Sequence, residues 1–143
     1  MAGLPLRKSE LLSLVFTVGR LRFLRPLVTF FYPHMHRFLS LERLAENEHW
    51  MAVHHPQPEY LLHILILPKA GITSLSDAPS DDPQLYADLI QLVQALVSDF
   101  SLEDQAYRLI TNGGENQSIP IWHWHLVSEA SCQHSNDSGV NHA

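Results

Sequence analysis

Hydrophobic and polar positions change rhythm twice along this chain. Residues 9–32 are densely apolar, with Leu11, Leu12, Leu14, Val15, Phe16 and Val18 opening a run that Arg20, Arg22, Arg25 and Pro26 interrupt. From residue 40 the pattern becomes that of short strands and one amphipathic helix. Leu41 to Glu46 and Trp50 to His54 predict two strands, and Leu61 to Pro68 a third, whose nearly continuous apolar run implies burial on both faces. Ser76 to Pro83 is a polar loop in which Asp81 or Asp82 caps a helix that has Pro83 in its first turn. Leu85, Tyr86, Leu89, Leu92, Val93, Leu96, Val97 and Phe100 then follow helical spacing, a stripe that reads as core and not as a cofactor site. Ala106 to Thr111 predicts a fourth strand, Asn112 to Asn116 a tight loop, and Ile121 to Ser128 a fifth strand. Residues 129–143 carry Ser, Asn, Asp and His with almost no large apolar residue and read as a disordered tail. The layout is an α+β domain over residues 41–128, preceded by an apolar and basic helical appendage over residues 1–40.

The appendage is not a simple membrane span. Its longest charge-free run, Leu11 to Gly19, falls short of the about 20 apolar residues a helix needs to cross a bilayer. Gly19-Arg20-Leu21-Arg22 offers no small-residue cleavage site, so export is disfavoured and a cytoplasmic location is expected. Two readings stay open for residues 9–32: an appendage packed on the domain or on a dimer partner, and a basic amphipathic segment making peripheral membrane contact. His34 and His36 follow it, and a helix would splay residues at this spacing about 200° apart, which reads as surface and not as a ligand pair.

A length of 143 residues fits one domain with a real core, and 45% hydrophobic with 17% charged residues is a globular composition. The single Cys132 excludes an internal disulfide framework, and no CxxC or Cys/His zinc spacing exists. Net charge of −6 hides an asymmetry. Up to residue 43, seven basic residues face two acidic ones, giving +5; beyond it Lys69 and Arg108 face thirteen acids, giving −11. An acidic body lacks the clustered cations that a nucleic-acid backbone requires, so no polymeric nucleic acid is expected as partner.

Candidate chemistry gathers in Asn116-Gln117-Ser118-Ile119-Pro120-Ile121-Trp122-His123-Trp124-His125-Leu126-Val127. On an extended chain Ile121, His123 and His125 share one face while Trp122, Trp124 and Leu126 share the other. A neutral imidazole can act as nucleophile, base or metal ligand. Taken alone, two such histidines equally describe the wet face of a half-buried strand.

Other segments shift that balance. Ala52 to Lys69 contains Tyr60-Leu61-Leu62-His63-Ile64-Leu65-Ile66-Leu67-Pro68-Lys69, and Arg108 to Gly114 reads Arg-Leu-Ile-Thr-Asn-Gly-Gly. In their order along the chain, these segments and the His-x-His strand resemble the histidine-triad (HIT) family over roughly residues 44 to 128. The resemblance implies a five-stranded antiparallel sheet with a long covering helix, and a phosphate pocket formed by the last two strands and their loop. It implies that His123 is the nucleophile that attacks an α-phosphorus, that His125 hydrogen-bonds the phosphate and that His63 lines the same pocket. Asn112 matches the family asparagine, and Gln117 and Ser118 match a Gln-Ser/Thr pair contacting phosphate or leaving group. Donors of suitable type are Asn112, Gln117, Ser118, the backbone N–H groups of Gly113 and Gly114, and a protonated His125. Activity would be that of a nucleotide hydrolase or nucleotidyl transferase acting on a phosphoramidate or dinucleoside polyphosphate, needing no cofactor and no metal. A homodimer paired through the long helix and a sheet edge is implied as well.

Four departures from the family pattern stand out. Ile121 replaces the first triad histidine, removing a group that would orient or polarise the nucleophile's surroundings. His55 stands eight residues before His63, where an Asp or Asn usually meets ribose hydroxyls. Gly71 replaces a histidine often found after Pro-Lys, and the loop from Asn112 to Ser118 is about two residues short. Ile121 and His55 support a second reading, a weak or inactive module that binds nucleotide or phosphate and that the N-terminal appendage tethers to a membrane or partner. A third is a metal site built from His63, His123 and His125, since imidazoles suit zinc.

Overall fold

The computed structural model describes residues 42–129. The appendage, Cys132, His34, His36, His134, His142 and the polar tail expected from the sequence lie outside the described residues. Five strands, β1 (Arg43–Glu46), β2 (Trp50–His54), β3 (Leu62–Pro68), β4 (Tyr107–Thr111) and β5 (Trp124–Ser128), form a sheet of order β1-β2-β3-β5-β4 in which every pair is antiparallel. One long helix, α1 (Pro83–Asp99), follows β3. The α+β class and the covering helix expected from the pattern are what the chain builds.

Sequence dictates the centre of the sheet. All seven residues of β3 are buried, as a continuous apolar run demands, and β3 lies between β2 and β5. Its alternate side chains enter two cores. Leu62, Ile64 and Ile66 join Trp50, Trp122, Leu126 and the α1 stripe Leu85, Leu89, Leu92, Val93 and Leu96. Leu65 and Leu67 point oppositely and pack with Met51, Val53, Ile119 and Ile121. The Trp50 and Trp122 rings meet edge to face at 5.3 Å, and Trp50 Nε1 donates to the Leu85 carbonyl, so the indole's apolar body and polar tip are both satisfied.

α1 begins as its cap predicts. Asp82 accepts from the Leu85 N–H, and Pro83 occupies the first turn, where its missing N–H costs nothing. The buried stripe carries one acid, Asp88, which the periodicity alone does not explain. It is satisfied by His49 Nδ1 at 2.7 Å and by Gln84 Nε2 at 2.7 Å, while Asn47 donates to its backbone carbonyl. The β1–β2 turn is thereby fastened to the helix.

Boundaries differ from the expected ones at four strand starts by one to three residues, β3 beginning at Leu62 and not at Leu61. β1 starts at Arg43 and β4 at Tyr107. β5 starts at Trp124 and not at Ile121, because the Trp122 N–H is spent on the Ile72 carbonyl at 2.8 Å instead of on a neighbouring strand. Residues 121–123 are therefore a tethered approach to the strand. The Asn112–Asn116 loop contains a short 3-10 turn, Gly114–Asn116, entered at Gly114 with φ of +58°, a conformation that favours glycine.

Candidate active site

The strand order does the assembling. β5, last in sequence, inserts between β3 and β4, so histidines from β3 and from the β5 approach become neighbours. His63 pairs with Val127 and Leu65 with His125, which makes His63 and His125 diagonal neighbours on one face. Their rings meet, with His63 Nε2 and His125 Nδ1 3.0 Å apart. His123 lies edge-on to His125 with ring centres 4.8 Å apart. Sharing of one face by Ile121, His123 and His125 agrees with the alternation expected from the sequence. That face is drier than expected, for His123 is only 1% exposed.

Hydrogen bonds fix the tautomer of each ring. The Glu59 N–H donates to His63 Nδ1 at 3.2 Å, so the His63 proton sits on Nε2 and is donated to His125 Nδ1. His125 then carries its own proton on Nε2. In His123, Nδ1 lies 2.7 Å from the Ile121 carbonyl, which can only accept, so Nδ1 is the protonated nitrogen. Its Nε2 therefore holds a lone pair, buried and with no hydrogen-bond partner among the described residues. An unsatisfied buried acceptor is costly in a purely structural residue and is the state required of a nucleophile.

All three rings favour the neutral form. Burial lowers the proton affinity of His123 and of His63 below the ordinary histidine value of 6.5. His125 is pushed down to about 3, first by burial and then by the neighbouring His123, His63 and His55. The expected cationic His125 is thus corrected: at neutral pH it offers an N–H dipole and no full charge.

Position 121 supplies His123 with a polar partner through its backbone. Its backbone carbonyl orients His123, and the backbone of His123 is held in turn by Thr111, whose hydroxyl donates to the His123 carbonyl at 2.8 Å and accepts from Trp122 Nε1 at 2.9 Å. The isoleucine side chain joins the smaller core. Neither Thr111 nor a carbonyl carries a sequence signal, since β-strand threonines are common and every residue has a carbonyl.

The remaining expected residues are arranged less tightly. Gln117 is buried, and its Nε2 donates to the Thr73 and Ile119 carbonyls at 2.6 and 2.8 Å. It holds the loop here, and contact with a phosphate requires it to leave those carbonyls. Asn112 and Ser118 stand half-buried at the two ends of the loop, with no hydrogen bond to the histidines. His55 lies on the turn after β2, its ring stacked on His63 at 4.0 Å and 5.7 Å from His125. Among the described residues the imidazole trio close enough to share an ion is His55, His63 and His125, and not the His63, His123 and His125 set of the third reading.

An antiparallel sheet with one covering helix and a clustered set of neutral imidazoles beside a Gly-Gly loop defines a small α+β protein with a histidine-based site. The profile of the HIT domain matches residues 41–131, most of the chain, and the protein belongs to the HIT family. A HIT-like protein of Chlamydia pneumoniae is 32% identical over 88 residues, covering 62% of this chain and 79% of that one. A HIT family hydrolase from Clostridium thermocellum superposes with a TM-score of 0.61 at 25% identity, covering 78% of this chain and 94% of that one. Another from Legionella pneumophila gives a TM-score of 0.62 at 24% identity, with 76% and 97% coverage, and likewise shares the fold.

Proposed function

We propose that this protein is a nucleotide hydrolase or nucleotidyl transferase that acts at the α-phosphate of a small nucleotide, a phosphoramidate or dinucleoside polyphosphate, through a nucleotidyl-His123 intermediate. The observation that carries this reading is the state of His123: protonated on Nδ1, oriented by the Ile121 carbonyl, and presenting an unpaired lone pair on a desolvated Nε2. Nε2 attacks phosphorus as the bond from phosphorus to the leaving oxygen or nitrogen breaks; the leaving group departs with the electron pair and takes any proton it needs from water. A second water then attacks the same phosphorus, the N–P bond breaks, His123 recovers its lone pair, and the water's proton returns to solvent. The Nε2–H of His125, the backbone N–H groups of Gly113 and Gly114, and the Asn112 and Ser118 side chains supply donors to the phosphoryl oxygens, with His63 lining the pocket and Gln117 reaching the phosphate or leaving group once freed. A small substrate is favoured over a polymer by the few basic residues described, of which Arg43 and Lys69 are paired with Glu46 and Arg108 lies over the Tyr60 ring.

Replacement of His123 by Ala is expected to lower turnover of an adenosine or guanosine phosphoramidate by at least about 10³-fold, as loss of a covalent nucleophile does, with the circular dichroism spectrum unchanged. Mass spectrometry of the wild-type protein quenched during turnover should show a nucleotidyl adduct on His123. Turnover retained in the variant would exclude His123 as nucleophile. A second reading, a module that binds nucleotide or phosphate with little or no turnover, draws on the 1% exposure of His123. Calorimetric binding of a mononucleotide together with absent turnover would select it.

A further inference from the structure

The proposed reaction uses His123, His125 and His63 and leaves His55 without a task. His55, His63 and His125 each offer a ring nitrogen within 4.8 Å of the others, a set gathered from the β2–β3 turn, β3 and β5. We infer that these three imidazoles form a binding site for a zinc-like divalent transition-metal ion, and that the ion and a substrate phosphate exclude one another.

Two of the ligands are already placed. His63 Nε2 and His125 Nδ1 stand 3.0 Å apart, close to the separation of about 3.3 Å that two nitrogens adopt around a tetrahedral zinc with bonds near 2.05 Å. At present one proton fills that gap, and a metal would replace it. The His63 proton would then move to Nδ1, which requires the 3.2 Å bond from the Glu59 N–H to open, while the Glu59 carboxylate nearby favours a proton on this ring.

His55 supplies the adjustable third ligand. Its backbone is fixed, because its N–H donates to the His63 carbonyl at 2.8 Å, but its ring lies stacked and nearly parallel to that of His63, 14° apart. Parallel rings cannot both aim in-plane lone pairs at one point, so His55 must swing about its side-chain torsions. It is partly exposed and outside the strands, and the swing breaks the bond that its Nδ1 accepts from the Gln57 N–H at 3.1 Å. The donor set selects the metal: three imidazoles and no carboxylate suit zinc, nickel or copper, and not magnesium or calcium. A fourth position is left for water or an anion.

The inhibitory consequence rests on the proposed function; the metal site does not. The test is titration of the full chain with Co²⁺, read by visible absorption, and with Zn²⁺, read by calorimetry and by imidazole ¹⁵N spectra. Wild type should develop the strong visible bands of low-coordinate Co²⁺, and Zn²⁺ should shift the ring nitrogens of His55, His63 and His125 but not those of His49. His55→Asn should weaken Zn²⁺ binding more than about 100-fold, beyond the effect of losing an outer-shell partner, and abolish the Co²⁺ bands. His123→Ala should keep them. Bands that survive both His55→Asn and His125→Asn, or Zn²⁺ shifts confined to other histidines, would overturn the site. Should His55→Asn fail to fold, the wild-type ¹⁵N shifts alone decide. Inhibition by Zn²⁺ that His55→Asn relieves extends the result to turnover; metal binding without inhibition would uphold the site and refute the exclusion.

Discussion

At the scale of single residues, the decisive partner of His123 is a backbone oxygen. The sequence shows an isoleucine where the family has a histidine, and from side chains alone an orienting group is missing. Folding supplies an acceptor anyway, because any residue at position 121 presents a carbonyl, and the backbone path brings it to 2.7 Å from Nδ1. The isoleucine side chain meanwhile fills an apolar cluster and is 1% exposed. Restoring the family residue is therefore expected to harm the protein: Ile121→His buries a polar ring among Met51, Val53, Leu65, Leu67 and Ile119 and should cost about 1–3 kcal/mol. Urea denaturation measures that loss, and turnover per folded molecule should not rise. A faster variant would show that the carbonyl is an inadequate substitute. His63, His123 and His125 were readable from motif order, whereas the pairing of His55 with His63 was not, since eight residues of turn and strand separate them and only the fold stacks their rings.

At the scale of elements, strand and helix positions were legible wherever period and capping agreed, as in β3 and α1. What escaped was tertiary: the start of β5 depends on the Trp122 bond to Ile72, and the acid on the α1 stripe depends on a histidine 39 residues away. That His49–Asp88 contact makes stability depend on pH. The hydrogen bond to Asp88 raises the proton affinity of His49 above its ordinary 6.5, so its contribution is complete below that value and is lost as pH rises through the raised one. Asp88 is held below 3.8, chiefly by His49, so its contribution is present above that value and is lost as pH falls through the depressed one. The latch is strongest between the two. The rings of His63, His123 and His125 act with opposite sign: burial keeps them neutral, and their contribution, complete above 6.5, erodes as pH falls from there toward the His125 value of about 3. His49→Ala should accordingly lower the urea midpoint more at about pH 5.5 than at about pH 8.5. Equal losses at both would reject the charge coupling.

At the scale of the whole molecule, family membership and fold were readable because three motifs occur in order within one α+β pattern. Assembly state is a separate matter. The HIT resemblance predicts a homodimer through the long helix and a sheet edge, and Ile90 on α1 is 50% exposed, a large apolar side chain left uncovered among the described residues. Light scattering should give twice the chain mass of 16.3 kDa, and Ile90→Glu should reduce it to one. A single-chain mass for the wild type would remove the dimer. Among the described residues no helix is long and apolar enough to cross a membrane. The insertion of β5 between β3 and β4 also bears on biosynthesis. A ribosome must deliver nearly all of the described chain before β3 gains its second neighbour, and until then a seven-residue apolar strand has an open edge. Products terminated before residue 124 would lack His125 and expose that edge together, so premature termination should yield insoluble aggregates and no partially active fragment.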